Sequence, residues 1–116
     1  MTGSGVEIVI DERFCGPPRS GNGGFVCGRV AALHGGDAVV RLKAPPPIGR
    51  ALVFDSSDGT TRLHDGDAVI AEARPLLPTD PLHSLAVPAA PSFEAAERAS
   101  QRYSGFIEHN FPTCFV

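Results

Sequence analysis

Five short segments rich in apolar and β-branched residues predict five β-strands. The first, residues 6–10, reads VEIVI and begins with an alternation of apolar and polar positions. The other four are residues 37–44, 50–56, 60–64 and 67–75. Asp58-Gly59 and Asp65-Gly66 are typical of tight hairpin turns between the last three. The pattern predicts one strand, then a run of four strands that are mostly joined by tight turns.

One helical segment lies between the first two strands, and a glycine-rich loop precedes it. The loop, residues 14–22, contains Pro17 and Pro18, which restrict its backbone, and it leads into a run of glycines. Asn22 is predicted to be the helix N-cap, because its side-chain oxygen can accept hydrogen bonds from the first free amides. The sequence His-Gly-Gly at residues 34–36 predicts the end of the helix.

This helical segment, FVCGRVAAL, is apolar on nearly all sides. Val26, Val30 and Leu33 share one face at helical spacing, and Arg29 is the only charge. We expect such a helix to be buried on most sides. Gly28 lowers the helix propensity by about 1 kcal/mol relative to alanine, so we expect another backbone to approach closely there. The order of elements predicts an α+β fold in which a curved antiparallel sheet of about five strands wraps this helix.

The composition changes after residue 75, which divides the chain into residues 1–75 and residues 76–116. The segment PLLPTDPLHSLAVPAAP is typical of an extended linker. The segment SFEAAERASQRY predicts a short amphipathic helix with Ser92 as its N-cap and Glu94 in its first turn. The tail is apolar and needs a surface to pack on; its large apolar residues are Phe106, Ile107, Phe111, Phe115 and Val116.

Composition and charge narrow the classes of function. The chain has 116 residues, 42% of them hydrophobic, and a net charge of −3, so neither a nucleic-acid partner nor a membrane partner is expected. No apolar run approaches the roughly 20 residues that span a bilayer, and the start of the chain does not resemble a signal peptide, which favours the cytoplasm. Cys15, Cys27 and Cys114 are odd in number and widely spaced, which favours reduced thiols.

Three motifs in this order resemble the hotdog fold of the acyl-CoA and acyl-carrier thioesterase superfamily. They are GNGGFVCGRVAAL at the start of the helix, RLKAPPPIGRALVF around a proline break, and LHDGDAVIAEAR at the last hairpin. The resemblance covers about the first two thirds of the chain and implies that residues 1–75 form a hotdog domain. The segment RFCGPPRSGNGG and the ending FPTCFV also resemble bacterial, mostly uncharacterised proteins that contain two hotdog units. This second likeness implies the N-terminal half of a double hotdog.

The resemblance implies a substrate, an acyl thioester such as an acyl-CoA, and no resident cofactor. The candidate catalytic residues are Asn22, Gly23, Gly24 and Phe25; the backbone amides of the last three, at a helix N-terminus, could stabilise an oxyanion. Arg19 could contact a phosphate of coenzyme A. An alternative is that the glycines only form a tight turn between strand and helix. Hotdog units usually pair, so we expect a homodimer or pairing with a second hotdog unit.

A thioester hydrolase also needs a carboxylate, and the helical segment has none. No Asp or Glu lies between Gly24 and Gly36, and Asp11 and Glu12 lie about ten residues before the helix, where a solvated strand end is the simpler interpretation. We therefore keep open whether the chain is an acyl-CoA thioesterase-like hydrolase or a non-catalytic hotdog unit that binds an acyl ligand or supports dimerisation. A third hypothesis is a small interaction protein whose apolar tail binds elsewhere.

Other chemistries have less support in the sequence. Cys27 lies near the helix N-terminus, which can lower a thiol pKa, but a buried, inert cysteine is the commoner case. No metal site is expected, because the histidines and cysteines lack metal-ligand spacing; the histidines are His34, His64, His83 and His109. The glycine-rich loop lacks the lysine of a P-loop. We expect Glu72, on the last strand, to face water or an arginine.

Overall fold

The structure is a computed structural model that describes residues 5–108. Its strands are β1 (Val6–Val9), β2 (Ala38–Leu42), β3 (Ala51–Ser57), β4 (Thr60–Asp65) and β5 (Ala68–Pro75). Its helices are α1 (Gly23–His34) and α2 (Phe93–Ser100), with single 3-10 turns at Glu12–Phe14, Pro81–Ser84 and Ser104–Phe106. The predicted α+β class is confirmed, and so is the sheet of five strands.

The five strands form one antiparallel sheet in the order β1-β3-β4-β5-β2. Strands β1 and β2 are consecutive along the chain apart from α1, yet they occupy opposite edges of the sheet. The chain between them must therefore cross one face of the sheet, and α1 makes that crossing. It packs against β2, β4 and β5. The sheet is curved, with α1 on one of its faces.

Both hairpins form, although the second turn lies one residue later than predicted. Asp58 and Gly59 have φ angles of 52° and 76°, as a two-residue type I′ turn requires. In the second hairpin Asp65 still pairs with Ala68, so the turn consists of residues 66–67. Gly66, with φ of 58°, supplies the left-handed conformation at its first position.

The hydrophobic core lies between α1 and one face of the sheet. Val26 and Val30 of α1 are fully buried, β1, β3, β4 and β5 contribute buried apolar residues, and Ala38 and Val40 of β2 are partly buried against them. The buried apolar residues of the sheet and its connections are Ile8, Ile10, Leu52, Phe54, Leu63, Ile70, Ala71 and Ala73. A register shift between Leu63 and His64 interrupts the pairing of β4 with β5.

Two expectations about α1 are wrong. The helix is not buried on most sides: Gly24, Gly28 and Arg29 are exposed, and Leu33 retains 41% of its accessible surface. A single sheet can cover only one side of a helix, and within residues 5–108 no second element covers the opposite side of α1. No backbone approaches Gly28, because a Cβ atom built there would meet no described atom within 4 Å.

Residues 76–108 contain α2 and two 3-10 turns. The predicted N-cap of α2 is confirmed, since Ser92 Oγ accepts a hydrogen bond from the Ala95 amide at 3.1 Å. Phe106 and Ile107 of the apolar tail are 70% and 92% exposed. The other residues of this segment that the sequence analysis names lie outside the described residues; they are His109, Phe111, Cys114, Phe115 and Val116.

Candidate functional site

The glycine-rich loop is held in place by backbone hydrogen bonds at both of its ends. Within the loop, the Gly16 amide donates to the Ser20 carbonyl at 3.0 Å. The Asn22 amide donates to the Phe14 carbonyl at 2.7 Å, and the Gly21 amide donates to the Pro46 carbonyl at 2.7 Å. The last contact joins the loop to the proline-rich break between β2 and β3. The start of α1 therefore has a fixed position beside the end of β2.

Asn22 begins α1 as predicted, and this leaves two of the candidate amides available. Asn22 Oδ1 accepts a hydrogen bond from the Phe25 amide at 3.0 Å, and the Asn22 carbonyl accepts one from the Val26 amide at 3.0 Å. The amides of Gly23 and Gly24 have no hydrogen-bond partner among residues 5–108. Of the predicted donors, Gly23 and Gly24 are therefore open to a ligand, whereas the Phe25 amide is occupied.

A groove of about 390 Å³ lies beside Gly23; Gly24 is not among its lining residues. Its walls are mostly apolar and come from the loop, from the first residue of α1 and from the end of β2 with the proline break; they are Pro17, Ser20, Gly21, Gly23, Leu42, Lys43, Ala44, Pro45 and Pro46. Gly23 lies close to Leu42, since a Cβ atom on Gly23 would lie 3.4 Å from Leu42 Cδ2. The absence of a side chain at residue 23 keeps the groove open next to the helix amides.

The Phe25 side chain supports the loop. Its ring stacks on that of Phe14, with 4.1 Å between the ring centroids and an angle of 8° between the planes. The guanidinium of Arg13 lies over the other ring, 4.6 Å from the Phe14 centroid. Both phenylalanines pack against the core. Of the four candidate site residues, Phe25 and Asn22 therefore position the loop and the helix, and the two glycines present their amides.

Neither Arg19 nor the acidic residues before the loop line the groove. Arg19 is exposed and is not among the lining residues. Asp11 and Glu12 are exposed as well, and Asp11 accepts a hydrogen bond from the Arg13 amide at 2.9 Å as the cap of a 3-10 turn. Within the described part of the chain no Asp or Glu lines the groove, so this site lacks the carboxylate that hydrolysis needs.

Lys43 is the member of the site that the sequence did not single out. It lines the groove, and its Nζ lies 3.0 Å from Glu72 Oε1. Glu72 also accepts a hydrogen bond from Arg62 Nε at 3.1 Å, which confirms the expected arginine neighbour. Its contacts with Lys43, and less strongly with Arg62, lower the pKa of the Glu72 carboxyl. Lys43, Arg62 and Glu72 come together because β5 pairs with β2 on one side and with β4 on the other.

Cys27 does not have the properties of an activated nucleophile. It is half-buried, and burial raises the pKa of its thiol, because the thiolate is the form that loses hydration.

Two of the histidines contact polar side chains. His34 Nδ1 and Thr61 Oγ1 share a hydrogen bond of 3.1 Å, and His64 faces the carboxylate of Asp55. Among residues 5–108, no three His, Cys, Asp or Glu side chains form a group that could hold a metal ion.

No helix within residues 5–108 has the length and apolar character needed to cross a membrane. Comparisons with protein-family models, with curated proteins and with solved structures found no match. The interpretation of the site therefore depends on the geometry of the groove and on the order of the elements around it.

Proposed function

We propose that residues 1–75 form a hotdog domain of the thioesterase superfamily type, and that this domain binds an acyl thioester such as an acyl-CoA. Support for the fold comes from the order of elements: β1, a helix that crosses the sheet, and β2 at the opposite edge. One observation carries the function. Among the described residues, the amides of Gly23 and Gly24 have no hydrogen-bond partner at the N-terminus of α1, and Gly23 lines a mostly apolar groove.

The chemistry of the groove suits an acyl thioester. A thioester carbonyl placed at the start of α1 would accept hydrogen bonds from the amides of Gly23 and Gly24. The helix dipole would stabilise the negative charge that develops on its oxygen. The acyl chain would lie along the apolar wall that Leu42 and Pro46 provide. The ligand is a substrate or a bound ligand, and no resident cofactor is part of the proposal.

Hydrolysis would require a carboxylate from outside this groove. A second copy of the chain, or a second hotdog unit, could supply it by pairing along the edge strand β2, which among residues 5–108 pairs with β5 alone. If pairing supplies no carboxylate, the domain is a non-catalytic unit for acyl-ligand binding or dimerisation. The lack of an acidic residue in the groove favours this second function.

The amide of Gly23 can be removed without removing the helix. Gly23 is the first residue of α1, where proline is tolerated, and Asn22 before it has a ψ of 126°, outside the α region that a following proline disfavours. Gly23→Pro therefore deletes one donor. Gly23→Ala retains that donor and serves as the control for added bulk beside Leu42.

The experiment measures acyl-CoA binding and free thiol release for a panel of chain lengths. We expect Gly23→Pro to bind roughly tenfold more weakly than Gly23→Ala, as the loss of one hydrogen bond to the carbonyl implies. Equal affinity of the two variants would contradict the proposed site. Thiol release by the wild type would establish a hydrolase, whereas binding without release would favour the non-catalytic unit. Light scattering tests pairing, and a monomer at all concentrations would exclude a homodimer.

A further inference from the structure

The face of the sheet opposite α1 carries arginines from three adjacent strands. The register places Arg41 of β2 opposite Glu72 of β5, and Glu72 opposite Arg62 of β4. Two residues further along β5, Arg74 lies opposite Val39 of β2. Because alternate residues of a strand point to the same face, all five side chains lie on the outer face. The result is three arginine side chains and one glutamate side chain on the same part of the outer face, with the Arg62 guanidinium in contact with the Glu72 carboxylate.

These side chains line a groove of about 310 Å³ on the outer face. Its walls include the three arginines, Glu72, Val39 and Thr60. The groove is separate from the one beside Gly23, and the two have no lining residue in common. Lys43, which lines the groove beside Gly23, contacts Glu72 of this second groove, but the proposed acyl-thioester binding uses no lining residue of the outer groove.

The charges in the outer groove do not balance. Glu72 is already shared by Lys43 and Arg62, and Arg74 is held by Asp80 through hydrogen bonds of 3.0 and 3.2 Å. Arg41 has no ion-pair partner in the part of the chain that the structure describes. Four cationic side chains and two carboxylates lie in or against the groove, which leaves two positive charges in excess on a chain whose net charge is −3; they are Arg41, Arg62, Arg74 and Lys43, with Glu72 and Asp80.

We propose that this outer groove binds the phosphate group of a small molecule, either inorganic phosphate or a phosphate monoester. A guanidinium group presents a planar fork of N–H donors that matches two oxygens of a phosphate. The dianion balances the two excess charges, and the Thr60 hydroxyl can donate to a further oxygen. Arg74 is already positioned by Asp80, and the pairing with Glu72 restrains Arg62, so less side-chain freedom is lost on binding.

The test is a titration of ¹⁵N-labelled full chain with inorganic phosphate, followed through the amide signals of β2 and β5. Chloride is exchanged for phosphate so that the ionic strength stays constant. We expect saturable shifts that centre on Arg41 and Arg74. Arg41→Ala should weaken binding about tenfold, and Arg41→Lys should weaken it less, because it retains the charge and loses the fork.

Arg98→Ala is the matched control, because it removes the same charge from the exposed helix α2. It should bind phosphate like the wild type. A parallel titration with phenyl phosphate distinguishes the two sources: tighter binding than inorganic phosphate indicates an organic phosphate, and weaker binding indicates the free ion. Shifts that do not saturate, or equal affinity in Arg41→Ala and Arg98→Ala, would overturn the proposal. The spectra also show directly whether each variant is folded.

Discussion

The amide nitrogen of Gly21 lies 2.7 Å from the carbonyl oxygen of Pro46, and this hydrogen bond joins the glycine-rich loop to the proline-rich break. The approach leaves no room for a side chain. A Cβ atom at Gly21 would lie 2.9 Å from Val26 Cγ2, 3.2 Å from Ile10 Cγ2 and 3.4 Å from Pro46 Cβ. The loop glycine that packing requires is therefore Gly21, one residue before the helix cap.

Gly21→Ala is expected to destabilise the fold by about 1–3 kcal/mol, the usual cost of adding a methyl group to a packed interior. Val26 and Ile10 are fully buried and β-branched, so neither side chain can rotate away from the new methyl group. Urea unfolding followed by circular dichroism measures the change in the free energy of unfolding.

Gly28→Ala is the matched control for this substitution. Gly28 lies inside α1, and an added Cβ atom would meet no described atom within 4 Å. We expect this variant to be more stable than the wild type by roughly 0.5–1 kcal/mol, because alanine restricts the unfolded chain and favours the helix. If Gly21→Ala were as stable as Gly28→Ala, the close contacts described around Gly21 would be contradicted.

Asn22 gives a second prediction, because its side chain caps α1 at the same place where the ligand is proposed to bind. Asn22→Ala should lower the free energy of unfolding by about 1 kcal/mol. Asn22→Asp should keep the stability of the wild type, because aspartate caps equally well and its charge interacts favourably with the helix dipole. The same negative charge should weaken the binding of an acyl thioester oxygen at the amide of Gly23.

The cap of α2 provides the control for this pair. Ser92 makes the equivalent hydrogen bond, to the Ala95 amide, but α2 has no buried residues. Ser92→Ala should therefore leave the unfolding midpoint of the sheet unchanged. A result in which Asn22→Asp lowers stability as much as Asn22→Ala would show that the cap of α1 does not behave as its geometry implies.

Cys27 gives a third prediction, on thiol reactivity. Burial raises the pKa of its thiol, so at pH 7.5 a smaller fraction is thiolate than in a free cysteine. Iodoacetamide should therefore alkylate Cys27 more slowly than it alkylates an unstructured peptide, and the rate should still rise with pH where the peptide rate has levelled off. The measurement uses a Cys15→Ser, Cys114→Ser background. In urea the rate should return to the peptide value; a fast rate in the folded protein would indicate an activated thiol.

Features that depend on neighbouring residues in the chain could be predicted from the sequence. The turn at Asp58-Gly59 needs two residues that tolerate positive φ, and the caps at Asn22 and Ser92 need a short polar side chain before a helix. The positions of the five strands follow from equally local patterns. The second turn was misplaced by one residue because Asp65-Gly66 and Gly66-Asp67 overlap and both suit a two-residue turn.

Features that depend on the order of strands could not be predicted in this way. Lys43 and Glu72 meet only because β2, early in the chain, lies beside β5 at the edge of the sheet. The expected burial of α1 failed for a related reason. An apolar sequence indicates that a helix needs cover, but one sheet supplies cover on one side only, as the exposed Gly28 and Leu33 show.

The last prediction concerns the pH dependence of the Glu72 contacts. Hydrogen bonding to Lys43, and less strongly to Arg62, holds the pKa of the Glu72 carboxyl below its ordinary value. A carboxyl group with a lowered pKa in the folded state contributes stability above its unfolded pKa, and that contribution is lost as the pH falls through the folded pKa. The Glu72 carboxyl should therefore titrate at lower pH in the folded protein than in the urea-unfolded chain when it is followed by ¹³C NMR.

Substituting the two partners of Glu72 separates their effects on this titration. Lys43→Ala should raise the pKa of Glu72 more than Arg62→Ala does, because the hydrogen bond to Lys43 is the larger cause of the shift. The wild type should lose some stability as the pH falls below the ordinary pKa of a glutamate, because Glu72 becomes protonated. Glu72→Gln should not show this loss. Arg98→Ala again removes a distant charge and should leave the Glu72 titration unchanged. If Lys43→Ala left the pKa of Glu72 where it is in the wild type, the 3.0 Å contact between Nζ and Oε1 would not persist in solution.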